Sequence, residues 1–457
     1  MRGSVMLKTD SYKVTHWRQY PPGTTGVYSY MESRGGQWPT SVFFGLQYVL
    51  REYVVGPVVT RSGIEEADDF FSQHFGDRTL FNREGWEHVL RVHGGRLPVR
   101  IRAVPEGTPV WNRNVLMTVE NTDPHVAWLT NYLESLLVQV WYPTTVATQS
   151  REMKRIWHEY LVRTGDPSLI AFKLHDFGYR GSTSDESAAL GGAAHLVNFS
   201  GTDTLAGCEL AMRHYHAKMP GFSIPAAEHS TITAWGRERE LEAYASMLRA
   251  YPDSPLVAVV SDSYDIFHAV SELWGKRLHD AVMARDGTVV VRPDSGKPDE
   301  VVLSVLRRLG GAFGVRVNAK GYKVLDNHVR VIQGDGIDYD TMRTILEAMA
   351  LDGWSADNLA MGSGGGLLQK VNRDTQRFAF KCSAVRIGDA WYPVSKAPIT
   401  DPGKTSKAGR LKLVRINGEY TTVAEHSPVP DEMVEVFRDG ALLQEWTFDE
   451  VRERAAL

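Results

Sequence analysis

The sequence predicts an α/β protein: a parallel α/β barrel of TIM type beside a β-rich domain built from both ends of the chain. Three observations carry that expectation. Short β-branched runs alternate with helical stretches through the middle of the chain, as in βαβ units with a parallel sheet. Six such runs end in polar or glycine-rich turns, enough for a barrel rather than a small open sheet. Outside that region the alternation stops and strands sit close together in sequence.

The units follow in order. Residues 168–174 form a predicted strand ending in His175-Asp176-Phe177-Gly178, and residues 195–199 one ending in Gly201-Thr202-Asp203. Residues 255–260 lead into Ser261-Asp262-Ser263-Tyr264-Asp265, and 288–291 into Arg292-Pro293-Asp294-Ser295-Gly296. Residues 329–332 end in Gln333-Gly334-Asp335-Gly336, and 358–361 in Gly362-Ser363-Gly364-Gly365-Gly366. In barrels of this kind the loops after the strands share one face and carry the chemistry. In the flanks, 99–104 and 115–120 read as strands, 125–163 as largely helical with a break at Pro143, and 411–416 with 419–423 as a hairpin about Asn417-Gly418. Residues 151–379 are therefore assigned to the barrel, and 1–150 with 380–457 to the flanking domain.

Bulk composition narrows the function. A balance of 51 Lys plus Arg against 55 Asp plus Glu, net charge −4, argues against a nucleic-acid binder. Two cysteines in 457 residues exclude a disulfide scaffold and point to a reducing, cytoplasmic compartment. No apolar run approaches the ~18 residues of a membrane span, so no membrane partner is expected. The first seven residues lack the apolar core of a secretion signal, which also makes Asn198-Phe199-Ser200 a chance glycosylation match. Met6 offers a second start, leaving open whether residues 1–5 are native.

The turns carry the chemistry-bearing residues, and each has a bland alternative. The run Gly362 to Gly366 lets backbone N–H groups approach an anion, or is a flexible turn; Gln333 to Gly336 has the same two readings. Arg292 and Asp294 suit phosphate and ribose, or pair with each other. The cluster of Ser261, Asp262 and Asp265 is an acidic site or a helix cap, and capping explains part of it. His229 beside Glu228 is a candidate catalytic imidazole. Tyr12 and Phe177 stack on a flat ring or fill core. Lys404, Lys407 and Arg410 form a solvated basic face or a mobile lid over phosphates. Taken together they describe a nucleotide or sugar-phosphate enzyme.

Seven segments in the same order resemble the nicotinamide phosphoribosyltransferase family: residues 9–16, 175–181, 223–230, 261–265, 292–296, 333–336 and 362–370. The resemblance covers most of the chain. It implies a type II phosphoribosyltransferase fold, an irregular TIM-like barrel with a β-rich domain, acting as a homodimer with shared active sites. It implies that nicotinamide and phosphoribosyl pyrophosphate give nicotinamide mononucleotide and pyrophosphate for NAD biosynthesis, with Mg2+, and with ATP assisting through a phosphohistidine. The metal ligands are left unassigned.

By the same resemblance, Phe177 stacks on the pyridine ring and Tyr12 of the other subunit on its opposite face. Asp203 accepts from the carboxamide NH₂, Arg292 holds the carboxamide oxygen with Ser261 nearby, and Asp294 binds ribose hydroxyls. Gly334, Asp335, Gly364 and Gly365 hold the ribose 5-phosphate, with Arg180, Arg34, Arg373 and Lys404 as further phosphate contacts. His229 takes phosphate from ATP, oriented by Glu228 and Asp265. A carboxylate at 203 would repel nicotinate, so nicotinamide is the expected base. The rivals are nicotinate phosphoribosyltransferase and a non-catalytic binding or signalling member. Two departures stand out. The segment after Arg34 is shorter than in animal members, nearer bacterial or phage ones, and Ala408 stands where the family often has a lysine.

Overall fold

The computed structural model describes residues 4–457, apart from the side chain of Pro402, so residues 1–3 of the open N-terminal question lie outside it. The chain divides into two units: residues 4–148, 213–217 and 371–456, and residues 149–212, 218–370 and Leu457. Among the described residues, no helix is long and apolar enough to cross a membrane.

The second unit is the α/β barrel. Six parallel strands, β1 (Leu174–Asp176), β2 (Gly201–Thr202), β3 (Leu256–Val260), β4 (Thr288–Arg292), β5 (Val329–Gln333) and β6 (Leu359–Ser363), lie in the order β2-β1-β6-β5-β4-β3. The open edges face a single irregular segment: Phe222 bridges to Gly201, and Ala226 to Ala258. Pro225 has no N–H to give a ladder, so this stretch closes the ring by isolated bonds, Thr202 N–H to Phe222 O at 3.0 Å and Ala258 N–H to Pro225 O at 2.9 Å. The strands are buried β-branched runs, as expected where both faces are covered.

Two predicted strands differ. Residues 168–174 are mostly a 3₁₀ helix, Pro167–Phe172, because Pro167 sets a helical φ and Asp166 caps it by accepting from Ser168 N–H at 2.9 Å. Residues 195–199 begin inside the helix Asp185–Leu196, which Ser184 starts with a capping box. Only Leu174 of the first run and no residue of the second joins the sheet, whose strands here are Leu174–Asp176 and Gly201–Thr202.

The first unit centres on a seven-stranded antiparallel sheet in the order Ala390–Pro393, Phe378–Ile387, Thr24–Ser33, Val115–Asn121, Val99–Ala103, Val434–Arg438, Ala441–Leu442. Strands from both ends of the chain thus interleave. Val99, Ile101 and Ala103 point inward, while Arg100 reaches Glu435 at 2.7 Å and Glu120 at 3.2 Å across the ladder. Leu411–Ile416 and Glu419–Ala424 form the predicted hairpin, with positive φ at Asn417 and Gly418 as a type I′ turn requires. Pro143 does not break a helix; it sits in the first turn of Trp141–Thr164, where its missing N–H has no partner to lose. Buried Glu106 accepts from Gly45 N–H (2.8 Å), Gln47 N–H (2.6 Å) and the Tyr215 hydroxyl (2.8 Å), joining residues 213–217 to this unit.

In the barrel, β1 ends on a fully buried carboxyl, Asp176. One oxygen accepts from Gly178 N–H at 2.7 Å; the other has no hydrogen-bond partner. Burial, with the negative charge of Asp203 adding to it, pushes this carboxyl up to about 6. The folded chain therefore keeps a proton that the unfolded chain releases near pH 4, so Asp176 favours folding most below pH 4, and that contribution is lost as pH rises through 6. Relative to Asp176→Asn, the wild-type unfolding free energy should fall by about 2 kcal/mol between pH 4 and 6, measured by urea denaturation at each pH.

Candidate active site

All six strands of the barrel end toward one face, and the residues following them meet there. After β1, Phe177 lies directly against β6: a Cβ at Gly362 would fall 1.8 Å from its ring, so position 362 has room for a hydrogen only. The Phe177 N–H donates to Ser363 O at 2.9 Å, which fixes the backbone of the turn. The Arg292 guanidinium carbon, from the end of β4, lies 5.1 Å from the ring centroid. Arg292 in turn donates from Nε and Nη2 to Asp294 Oδ1 at 3.1 and 2.8 Å. A Cβ at Gly334, after β5, would fall within 3.0 Å of both partners, so that glycine makes space for the pair.

The ring of His175 is 5.6 Å from that of Phe177, and His175 Nε2 is 3.8 Å from Asp203 Oδ1. Burial holds the His175 imidazole below its ordinary value. Asp203 follows β2, is half exposed, and accepts a short hydrogen bond from the Ser223 hydroxyl. Arg292, Phe177, His175, Asp203 and Ser223 thus form a continuous run along the barrel mouth.

His229 occupies the opposite arc. Its Nδ1 is 3.1 Å from the Ser263 hydroxyl; its Nε2 is 3.4 Å from Asp294 Oδ2 and 3.9 Å from Asp262 Oδ1. Asp262 is buried, and its Oδ2 accepts from the Asp294 amide at 3.0 Å and from the Ser295 hydroxyl. Its Oδ1 accepts no hydrogen bond.

The expected orienters of His229 are placed differently. Asp265 caps the following helix, accepting from Phe267 and His268 N–H at 2.9 and 3.0 Å, and Glu228 caps the helix His229–Thr233 while bonding Ser230. The carboxylates facing the imidazole are Asp262 and Asp294. The Ser261 hydroxyl is buried, donating to Val259 O at 2.9 Å and accepting from Trp274 at 3.1 Å, so both of its hydrogen-bonding roles are filled inside the barrel wall. Sequence reasoning missed His175, Ser223 and Ser263 and left Asp262 between an acidic site and a helix cap. The signal for His175, Asp262 and Ser263 was position, since each stands in a strand-ending motif; Ser223 follows the bridge at Phe222.

The remaining phosphate candidates fall in two groups. Gly364 and Gly365 open a short helical turn beside Phe177, with nothing within 4 Å of where a Gly365 side chain would begin. Arg180 and Asp335 are exposed on the same unit. Tyr12, Arg34, Arg373 and Lys404 belong to the first unit. Tyr12 is 58% exposed on the 3₁₀ helix Ser11–Arg18, and Arg34 is half-buried after its strand. Arg373 Nε lies 4.0 Å from Asp374, and Lys404 Nζ lies 3.0 Å from Asp401. The lid reading fails for two members of the basic cluster: Lys407 is paired with Glu32, and Arg410 with Glu120 and Glu425 at 2.5 Å.

Comparison with known proteins agrees with this arrangement. Residues 172–441 match the model of the nicotinate phosphoribosyltransferase (NAPRTase) family, and residues 4–101 that of the nicotinamide phosphoribosyltransferase N-terminal domain. The chain is 54% identical to a nicotinamide phosphoribosyltransferase of Xanthomonas campestris pv. campestris, covering 99% of this chain and 98% of the relative. It is 32% identical to one of Acinetobacter baylyi over 98% and 96%. Among solved structures it is similar to the nicotinate-nucleotide pyrophosphorylase of Pyrococcus furiosus, with TM-score 0.62 and 15% identity over 99% and 95%. It is also similar to human nicotinic acid phosphoribosyltransferase, with TM-score 0.57 and 17% identity over 98% and 92%. The fold is that of the type II phosphoribosyltransferases, a class of pentosyltransferases. Within that class, the chain belongs to the nicotinamide phosphoribosyltransferase family.

The glycines of β6 and the turn after it should separate cleanly. Gly362→Ala must displace the Phe177 ring and should lower unfolding free energy by about 1–3 kcal/mol, whereas Gly365→Ala, facing open space, should stay within about 0.5 kcal/mol of wild type. Denaturant unfolding of the two variants checks both values.

Proposed function

We propose that this protein condenses nicotinamide with phosphoribosyl pyrophosphate, releasing pyrophosphate and forming nicotinamide mononucleotide for NAD salvage. The observation that carries the reading is the run of Arg292, Phe177, His175 and Asp203: an aromatic surface flanked by a cation at one end and a carboxylate at the other. A flat, uncharged ring bearing a carboxamide is complementary to it. Phe177 takes the ring face, Arg292 donates to the carboxamide oxygen, and Asp203 accepts from the NH₂. Asp203 facing nicotinate would oppose two carboxylates, which disfavours the acid.

The pyridine nitrogen is a weak nucleophile, so bond breaking to pyrophosphate runs ahead and positive charge grows on the ribose carbon. Asp294, beside Arg292, suits the ribose hydroxyls. The turns at Gly334–Asp335 and Gly364–Gly365 suit phosphate through their backbone N–H groups, with open space where a Gly365 side chain would begin and the Arg292 guanidinium beside Gly334. Arg180 adds a cation. The family resemblance supports a homodimer in which Tyr12 of the other subunit closes the ring site, with Arg34, Arg373 and Lys404 along the phosphate path. Asp262 and Asp294 present oxygen donors around one imidazole, one of them a buried oxygen without a hydrogen bond, which fits Mg2+ in donor type. Bound there, magnesium would offset charge on the polyphosphate.

His229 is the residue we assign to ATP coupling. It takes the terminal phosphoryl group on a ring nitrogen as ADP leaves, with Ser263 on Nδ1 and Asp294 and Asp262 facing Nε2 to hold the ring. Two cysteines in 457 residues and the metabolite set suit the cytoplasm.

In a competition assay, nicotinamide should be used in preference to nicotinate, and Asp203→Asn should narrow that preference at least about tenfold. A wild-type preference for nicotinate would overturn the assignment. Separately, His229→Ala should lose ATP stimulation while keeping a basal rate; ATP coupling that survives the change removes His229 from that role.

A further inference from the structure

In the first unit, three titratable side chains gather around one carboxylate. The helix Arg83–His93 carries His88 in its second turn and His93 as its last residue. Trp86 and Val89 are buried and fix that helix, Asn82 caps its start by accepting from Gly85 N–H at 3.0 Å, and Gly94 ends it with φ 59°. Asp123 follows the strand Val115–Asn121 and caps the turn Pro124–Val126 through His125 N–H at 2.8 Å. Asn121 Nδ2 holds its carbonyl at 2.8 Å. Both supports of the cluster are therefore set by secondary structure rather than by a free loop.

The side chains converge. His88 Nε2 and His93 Nε2 each lie 2.7 Å from the same oxygen, Asp123 Oδ2. His125 Nδ1 lies 2.9 Å from the other oxygen, Oδ1, with its ring 4.9 Å from that of His88. The carboxylate is 11% exposed and the two converging imidazoles 18% and 24%. Among the described residues, His88, His93 and Asp123 are the one set of three such side chains whose donor atoms lie within 4.8 Å of one another.

We propose that His88, His93 and Asp123 form a binding site for a divalent first-row transition ion, independent of the reaction in the barrel. The donor set of two imidazole nitrogens and one carboxylate oxygen suits zinc and its neighbours and not magnesium, which takes oxygen ligands. Metal–ligand bonds of about 2.0–2.1 Å put tetrahedral ligands roughly 3.3 Å apart. The present Nε2–Oδ2 separations of 2.7 Å need to open by only about 0.6 Å to reach that, a small rotation of two partly exposed rings. The ion replaces the protons that now bridge each nitrogen to the oxygen. Three protein ligands leave a coordination position for water, which a hollow lined by Asn82, His88, Arg91 and His125 makes accessible. His125, hydrogen-bonded to the non-ligating oxygen, is a positioning residue that orients the carboxylate.

The test uses the untagged full chain, stripped with chelator and dialysed. Titration with zinc, followed by a chromophoric zinc indicator, should show one more tight site per chain in wild type than in His88→Gln/His93→Gln. His125→Ala should keep that site with affinity weakened about tenfold or more. Added magnesium should not compete. Circular dichroism and an unchanged basal rate show that the double variant is folded. Cobalt titration of wild type gives a check that needs no variant: absorption in the visible range of a low-coordinate nitrogen–oxygen site supports the proposal, and a spectrum of six-coordinate aqueous cobalt alone refutes it. Equal zinc stoichiometry in wild type and the double variant also refutes it.

Discussion

A ring resting where a side chain is missing organises the barrel mouth. Phe177 occupies the volume that any Cβ at Gly362 would need, and the two are fixed by adjacent strands β1 and β6. Beneath the ring the barrel is filled by Ala258, Val290 and Ile332, with Ile224 and Ala360 packed against them. The layer is built from small and β-branched residues, so the aromatic side chain ends the hydrophobic filling and begins the polar site. Arg292 lies against the ring and is held there by Asp294. Gly334 leaves room for that ion pair, and the second oxygen of Asp294 faces His229. A single packing constraint thereby sets the position of a cation, two carboxylates and an imidazole through contacts shorter than 5.2 Å.

Charge is distributed around this ring with a clear division. Asp176 is buried and keeps its proton to about pH 6, so it serves the turn as a hydrogen-bonding wedge rather than as a free anion below that pH. Asp203, whose amide donates to the Asp176 carbonyl at 2.9 Å, is half exposed and available to a ligand. Adjacent carboxyl groups thus take different roles because one is buried and the other is not. At the opposite arc, Asp262 is tied down through one oxygen, and its other oxygen faces His229. This arc combines two positioned carboxylates with one exposed imidazole.

The fold was readable because its signals are local. β-branched runs, turn residues and the Asn417-Gly418 hairpin each act over a few residues, and the structure follows them. Where the reading of 168–174 and 195–199 failed, a cap and a proline, or an alanine-rich helix, outweighed apolar character. The site was legible as a set of strand-end motifs and less so within each motif. Ser261, Asp262 and Asp265 lie in one five-residue stretch, yet Ser261 turns into the wall, Asp265 caps a helix and Asp262 faces the imidazole. Which of three polar side chains faces the cavity depends on where the strand stops and the next helix starts, and those boundaries are the least certain part of any sequence reading. His175 escaped notice for the same reason: its alternation along β1 is visible only once β1 is known to begin at Leu174.

Two histidine–aspartate groups in this chain show how geometry selects chemistry from the same side chains. At the barrel mouth, one imidazole stands between two carboxylates whose oxygens are 3.4 and 3.9 Å from it, and a hydroxyl occupies its other nitrogen. Those separations are longer than a close hydrogen bond, and the ring is 48% exposed, which is the accessibility the role proposed for His229 needs. Around Asp123 the ratio is inverted: three imidazoles share one carboxylate, two of them at 2.7 Å from a single oxygen. The two closest rings share one acceptor oxygen, and the third meets the other oxygen of the same carboxylate. Ring nitrogens and a carboxylate oxygen converging in that way are the donor set the proposed transition ion would take in exchange for the bridging protons, whereas the more open imidazole of the barrel suits the transfer proposed for it.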